Sequence, residues 1–136
     1  MLLITKYFKE VKMGLFDALL GNASEIDISE VAEELAPIIG DTESIQQVFK
    51  VVRDMYVFTN KRLILIDKQG MTGRKVDYHS IPYRAITQFK IETAGHFDLD
   101  AELKIWISGQ DNPIEKELKK DTVVGIQKTL ATHMFA

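Results

Sequence analysis

Three residues in the stretch AGHFDLDAELKIWISG (94–109) could do chemistry: His96, Asp98 and Asp100. One imidazole and two carboxylates are a ligand set for a divalent cation, or a base with its orienting acid. Between them lie apolar residues, and the alternation continues along the segment. Successive side chains of a strand point to opposite faces, so Phe97, Leu99, Ala101, Leu103, Ile105 and Ile107 face one way. His96, Asp98, Asp100, Glu102, Lys104, Trp106 and Ser108 then face the other. A half-buried strand over 97–108 accounts for every one of these positions. A metal site accounts for three, and needs ligands from elsewhere. No metal and no cofactor is therefore assigned. Trp106 is the exception on the polar face: a large aromatic there marks a surface covered by a neighbouring segment or another subunit, which makes it the interface candidate.

The remaining chemical candidates are weaker. His79, in DYHSIPY, points away from its neighbours Tyr78 and Ser80, and Ser80 lacks the glycine-flanked elbow of a hydrolase nucleophile. His133 sits near the end of the last predicted helix, where a cation suits the helix dipole. Lys61, Arg62, Lys68, Arg74 and Lys75 surround a predicted hairpin, and Lys61, Arg62, Arg74 and Lys75 are the candidates for an anion-reading patch. The competing reading is of solubilising turn residues with Asp67 and Asp77 alongside. Neither G-x-x-x-x-G-K nor G-x-G-x-x-G occurs, and MGLFDA lacks the Ser/Thr that closes a myristoylation motif. No catalytic set follows, and the chain is read as a non-enzyme.

The elements that position these residues belong to one domain. The chain has 136 residues, 46% hydrophobic and 27% charged, an ordinary globular composition large enough for a core without staples. There is no cysteine, which excludes disulfides and thiolate chemistry. A net charge of -3 argues against duplex nucleic acid as a partner. No apolar run reaches the roughly 18 residues of a membrane-spanning helix, and Met1–Ile4 is shorter than the roughly 7–15 of a secretory signal. The expected compartment is the cytoplasm.

Met13-Gly14-Leu15-Phe16 reads as a second beginning, so residues 1–12 are either an upstream extension, an artefact of an early start codon, or an amphipathic helix using Ile4, Tyr7, Phe8 and Val11. Residues 13–40 form an N-terminal helical segment. Within it DISEVAEELAPII (27–39) predicts a helix capped by Asp27 with Glu30, apolar at Ile28, Val31, Leu35 and Ile38, and ended by Pro37 and Gly40. Seven short β-rich runs follow over 41–136: 44–52, 54–59, 62–67, 74–81, 85–93, 97–108 and 114–119. Asn60-Lys61 is read as a tight reversal, since Asn tolerates the left-handed backbone of a two-residue hairpin. A final helix places Val123, Ile126, Leu130 and Met134 on one face, with Asp121 as its cap. One-faced alternation favours antiparallel strands, closed on themselves and covered by the helix.

The residues RDMYVFTNKRLILIDKQGMTGRKVDYHSIPYRAI and FKIETAGHFDLDAELKIWISG resemble the bacterial pleckstrin-homology (PH) domain proteins, over about 13–136. FTNKRLIL (58–65), SIPY (80–83) and especially ETAGHFDLDAEL (92–103) carry the resemblance, and the family's start near MGLFDALLGN points to Met13 rather than Met1. It implies a PH-like seven-stranded antiparallel barrel capped by a C-terminal helix. It also implies self-assembly into five-fold rings without established enzymatic activity. Eukaryotic PH domains that grip phosphoinositides carry several basic residues between their first two strands. Here that link is VVRDM, with Arg53 alone and Asp54 beside it, so phosphoinositide binding is not expected. The expected function is a ring-forming homo-oligomeric scaffold for protein interaction, with Trp106 and the N-terminal helices at the interface. The alternative is a peripheral membrane or anionic-ligand binding module using Lys61, Arg62, Arg74 and Lys75.

Overall fold

The computed structural model describes residues 28–95 and 99–135. The elements run in the order α1 (Ile28–Leu35), β1 (Ile45–Val51), β2 (Asp54–Thr59), β3 (Arg62–Gln69) and β4 (Lys75–Pro82). A 3-10 turn (Tyr83–Ala85) leads to β5 (Ile86–Thr93), β6 (Ala101–Ile107), β7 (Ile114–Leu118) and α2 (Val123–Met134). All seven expected strands are present, and every pairing is antiparallel.

The expected closed barrel is instead two sheets, β1-β2-β3-β4 and β5-β6-β7. The break falls at Pro82. Proline has no N–H to donate, and the 3-10 turn after it redirects the chain out of the first sheet. What closes the structure is packing. Phe49, Phe58, Leu63 and Leu65 of the first sheet meet Leu103, Ile105 and Leu118 of the second, and Val123, Ile126 and Leu130 of α2 lie over them. Tyr56 bridges the sheets directly, its hydroxyl donating to the Glu117 carbonyl at 2.9 Å.

A second apolar layer lies on the outer face of the first sheet. Val31 and Leu35 of α1 are buried against Val48, Met55, Val57, Ile64 and Ile66. β2 and β3 do not share the one-faced alternation seen elsewhere: their runs MYVF and LILI are buried on both faces. Continuous apolar runs are what a strand covered from both sides requires. The helix ends at Leu35, short of the expected Ile39, because the position before Pro37 is disfavoured in the α region. Asp27 and residues 1–26, including the expected extension, lie outside the described residues.

Two further differences concern backbone detail. Asn60 was the residue expected in the left-handed region. Among the described non-glycine residues only Val52, in the β1–β2 turn, has positive φ, at 60°. Asn60 works through its side chain instead: Oδ1 accepts the Ser44 N–H at 2.7 Å, and Nδ2 donates to the Thr42 carbonyl at 3.2 Å. The N-cap position of α2 is Thr122 rather than Asp121, and no side chain caps it: the Thr122 hydroxyl donates backward to the Lys119 carbonyl at 2.7 Å.

Candidate functional site

Among the described residues the expected strand over 97–108 begins at Ala101, where its ladder with β5 ends at the pair Thr93–Ala101. His96, Phe97 and Asp98 lie outside the described residues. Leu99, expected on the buried face, is exposed. Asp100 has a structural job: its Oδ1 accepts the backbone N–H of Lys120 at 2.8 Å, and Oδ2 lies 3.7 Å from Lys119 Nζ. It thereby holds the link between β7 and α2. Among the described residues no three of His, Cys, Asp or Glu cluster to hold a metal ion.

The polar face of β6 is a ladder of charge. Lys104 Nζ lies 3.4 Å from Glu92, 3.7 Å from Glu102 and 3.9 Å from Glu115. Glu92 first, then Glu115 and Glu102, hold the Lys104 ammonium in its charged form and raise its pKa. Trp106 stands on the same face, half-buried and opposite Gln88 of β5. It is the apolar residue at one end of that ladder.

The four basic candidates do not form one patch. Lys61 and Arg62 lie at the start of β3, while Arg74 and Lys75 lie beyond its other end, so an eight-residue strand separates the two pairs. Lys61, Arg74 and Lys75 are exposed. Arg62 is committed to Glu43: Nε lies 2.8 Å from Oε2 and Nη2 donates to Oε1 at 2.9 Å. The same guanidinium donates to the Ile38 carbonyl (2.6 Å) and to Ser80 Oγ (2.7 Å). Glu43 also accepts from the Thr59 hydroxyl at 2.6 Å and the Gly40 N–H at 3.1 Å. The bond from Arg62 is the main reason its carboxyl is lowered to about 2, against the opposing effect of burial. Arg62 is therefore a clamp tying the turn after α1 to β3 and β4.

The histidines separate in the same way. His79 is exposed on β4, opposite Leu65. His133 is built in: Nδ1 lies 2.9 Å from the Thr129 carbonyl and Nε2 2.8 Å from Gln46 Oε1, and the ring stacks on Tyr83 at 4.3 Å. Next to Gln46, Gln47 meets the Thr129 hydroxyl at 2.6 Å. Adjacent strand residues ordinarily point apart; here a register shift between Ile45 and Gln47 lets both reach α2. Neither Glu43 nor the two glutamines stood out in the sequence. Apart from Gly40, their partners named here lie 16 to 87 positions away, and no local spacing announces them.

At the far end of the first sheet two turns meet. The Arg53 guanidinium of the β1–β2 turn donates to the Gly70 carbonyl of the β3–β4 turn. Val52 and Met71, one on each turn, are both exposed. A β-branched residue at φ 60° is the least suited of side chains to that position, at a cost of about 1–2 kcal/mol. The β3–β4 turn meets the same demand with Gly70 and Gly73, at φ 75° and 66°.

Two packed antiparallel sheets of four and three strands, closed by a C-terminal helix, define a PH-like domain. The family described as Bacterial PH domain matches residues 14–134, and the chain belongs to it. It is 56% identical over 121 residues to "Uncharacterized protein YjqA" of Bacillus subtilis (strain 168), covering 88% of this chain and 97% of that one. "Uncharacterized protein YozO" of the same organism is 33% identical over 104 residues, covering 76% and 89%. Among solved structures, the pleckstrin homology domain from Shewanella amazonensis SB2B aligns with TM-score 0.78 and 63% identity, over 90% of this chain and 99% of that one. A DUF1696 family protein with a pleckstrin-homology domain from Shewanella loihica PV-4 aligns with TM-score 0.71 and 63% identity, over 82% and 96%. Among the described residues no helix is long and apolar enough to cross a membrane.

Proposed function

We propose that this chain is a non-catalytic PH-like module that assembles with copies of itself into a closed ring and serves as a scaffold for other proteins. The observation that carries the reading is the free edge of β4. Among the described residues this strand pairs with β3 on one side only, and all its residues except Val76 and Ile81 are exposed. An unpaired edge of that length is a template for another chain. The second sheet ends on different strands, β5 and β7, so a β4 edge meeting one of them makes a head-to-tail contact. Such contacts form a ring when the rotation between copies closes. The half-buried Trp106 is the aromatic that a neighbouring copy covers.

The non-catalytic part rests on what the polar candidates do. Asp100, His133 and Arg62 are tied into the fold by the bonds described above. Light scattering on a sizing column tests the assembly. The expected result is a discrete multiple of 15.5 kDa. A monomer at every concentration overturns the ring.

A further inference from the structure

We propose, resting on the self-assembly above, that β4 of one copy adds to β5 of the next as an antiparallel ladder, with Asp77 opposite Lys90. The starting point is a set of mismatches inside the chain. Asp77 of β4 lies opposite Asp67 of β3, and Lys90 and Glu92 of β5 lie opposite Lys104 and Glu102 of β6. Like charges directly opposite one another destabilise a sheet. Diagonal contacts relieve them in part: Lys104 Nζ lies 3.4 Å from Glu92, and the Gln69 amide donates to Asp77 at 2.9 Å. Asp77, Lys90 and Glu92 are all exposed, and their strands are edges that pair on one side only among the described residues.

Across the free edges the mismatches become matches. With Asp77 against Lys90, antiparallel pairing sets Lys75 against Glu92, so both charge pairs are opposite in sign. On the other face the same register sets Tyr78 on Phe89 and Val76 on Ile91. Tyr78 is 43% exposed, and Phe89 stands at the rim of the core, stacked at 6.3 Å on the exposed Phe135. His79 falls beside Gln88, whose own partner on β6 is Trp106, so the neighbouring copy reaches the Trp106 face. The irregularity at the start of β5, between Ile86 and Gln88, leaves the four pairs untouched. A slip of two residues sets Lys75 against Lys90 or Asp77 against Glu92. A slip of one mixes the apolar and charged rows. The edge of β7 fits worse: with Val76 and Tyr78 over its inward row of Ile114, Lys116 and Leu118, Asp77 meets Glu115 or Glu117.

Light scattering of the full chain and site-directed cross-linking test this together. A wild-type monomer at every concentration overturns the self-assembly and the ladder with it. Where the wild type assembles, D77K and K90D are each expected to weaken association about tenfold, and D77K/K90D to regain the wild-type mass because the pair is restored with its signs exchanged. The chain holds no cysteine, so introduced ones report position directly. Equimolar D77C and K90C chains are expected to join through a short thiol cross-linker, as are K75C and E92C. An assembled wild type whose D77C and K90C chains stay separate, or whose D77K/K90D variant stays dissociated, overturns the ladder and leaves the self-assembly standing. Joining of K75C to Q88C in place of E92C overturns the antiparallel register, since a parallel ladder brings those two together.

Discussion

Arg62 grips Glu43 with both sides of its guanidinium, Nε at 2.8 Å from Oε2 and Nη2 at 2.9 Å from Oε1, across 19 positions of sequence. The Glu43 side chain is 6% exposed, so the pair is shielded from most of the solvent. Shielding makes the loss of either partner costly, since the survivor is left charged and unpaired.

Glu43→Gln is expected to lower stability at neutral pH by about 2 kcal/mol, below the usual range for a fully buried pair because Arg62 keeps some contact with water. The wild-type carboxyl titrates near 2 in the folded chain against an ordinary 4.5. Its contribution is therefore complete above 4.5 and fades as the pH falls towards 2. Urea denaturation of both proteins across that window checks it. A gap that stays constant down to pH 2 contradicts the clamp.

Gly125 lies in α2, and a Cβ placed there meets Phe49 Cε1 at 2.6 Å. Phe49 is fully buried and packs edge-on against Phe58, with centroids 5.9 Å apart, so it has little room to retreat. Gly125→Ala is expected to destabilise by about 1–3 kcal/mol despite alanine's better helix propensity. Thermal melting by circular dichroism reads the sign directly.

Tyr83 donates its hydroxyl to the Thr59 carbonyl at 2.7 Å, and burial pushes its pKa well up. Thr59 itself is completely buried. Tyr83→Phe leaves that carbonyl without this donor and is expected to cost about 1–2 kcal/mol, with the stacking on His133 retained. An unchanged denaturation midpoint would mean the bond contributes nothing.

Trp106→Asp is the variant that examines the assembly. On the scaffold reading it reduces the solution mass to that of one chain, while the melting temperature stays close to wild type because the ring is only half-buried in the single chain. A wild-type mass removes Trp106 from the interface.

The strands were legible because their runs are bounded by strong punctuation: Gly70 and Gly73, Pro82, Gly109 and Pro113. All seven fall within a few residues of the observed bounds. Double-sided burial of β2 and β3 was visible as MYVF and LILI, yet its cause lies in α1, some twenty residues earlier, and no periodicity connects the two. The turn at Asn60 was right in place and wrong in mechanism. Its side chain bonds backward to Thr42 and Ser44, whereas the strained backbone fell on Val52, a residue whose type argues against that position. Among the described residues β6 begins later than the alternation suggests, because the ladder with β5 ends at Thr93–Ala101 and Leu99, which continues the pattern, is exposed.

Which cover reaches the first sheet, and when, has a consequence during synthesis. The chain emerges from its N-terminus, so α1 is available before β2 and β3 are made, and one side of the nascent sheet is sheltered as it forms. The opposite side waits for α2, the last element translated. Until then Phe49, Phe58, Leu63 and Leu65 lack Val123, Ile126 and Leu130. A ribosome that stalls within the second sheet therefore releases a chain with one greasy side bare, and such fragments are natural clients for chaperones and proteases.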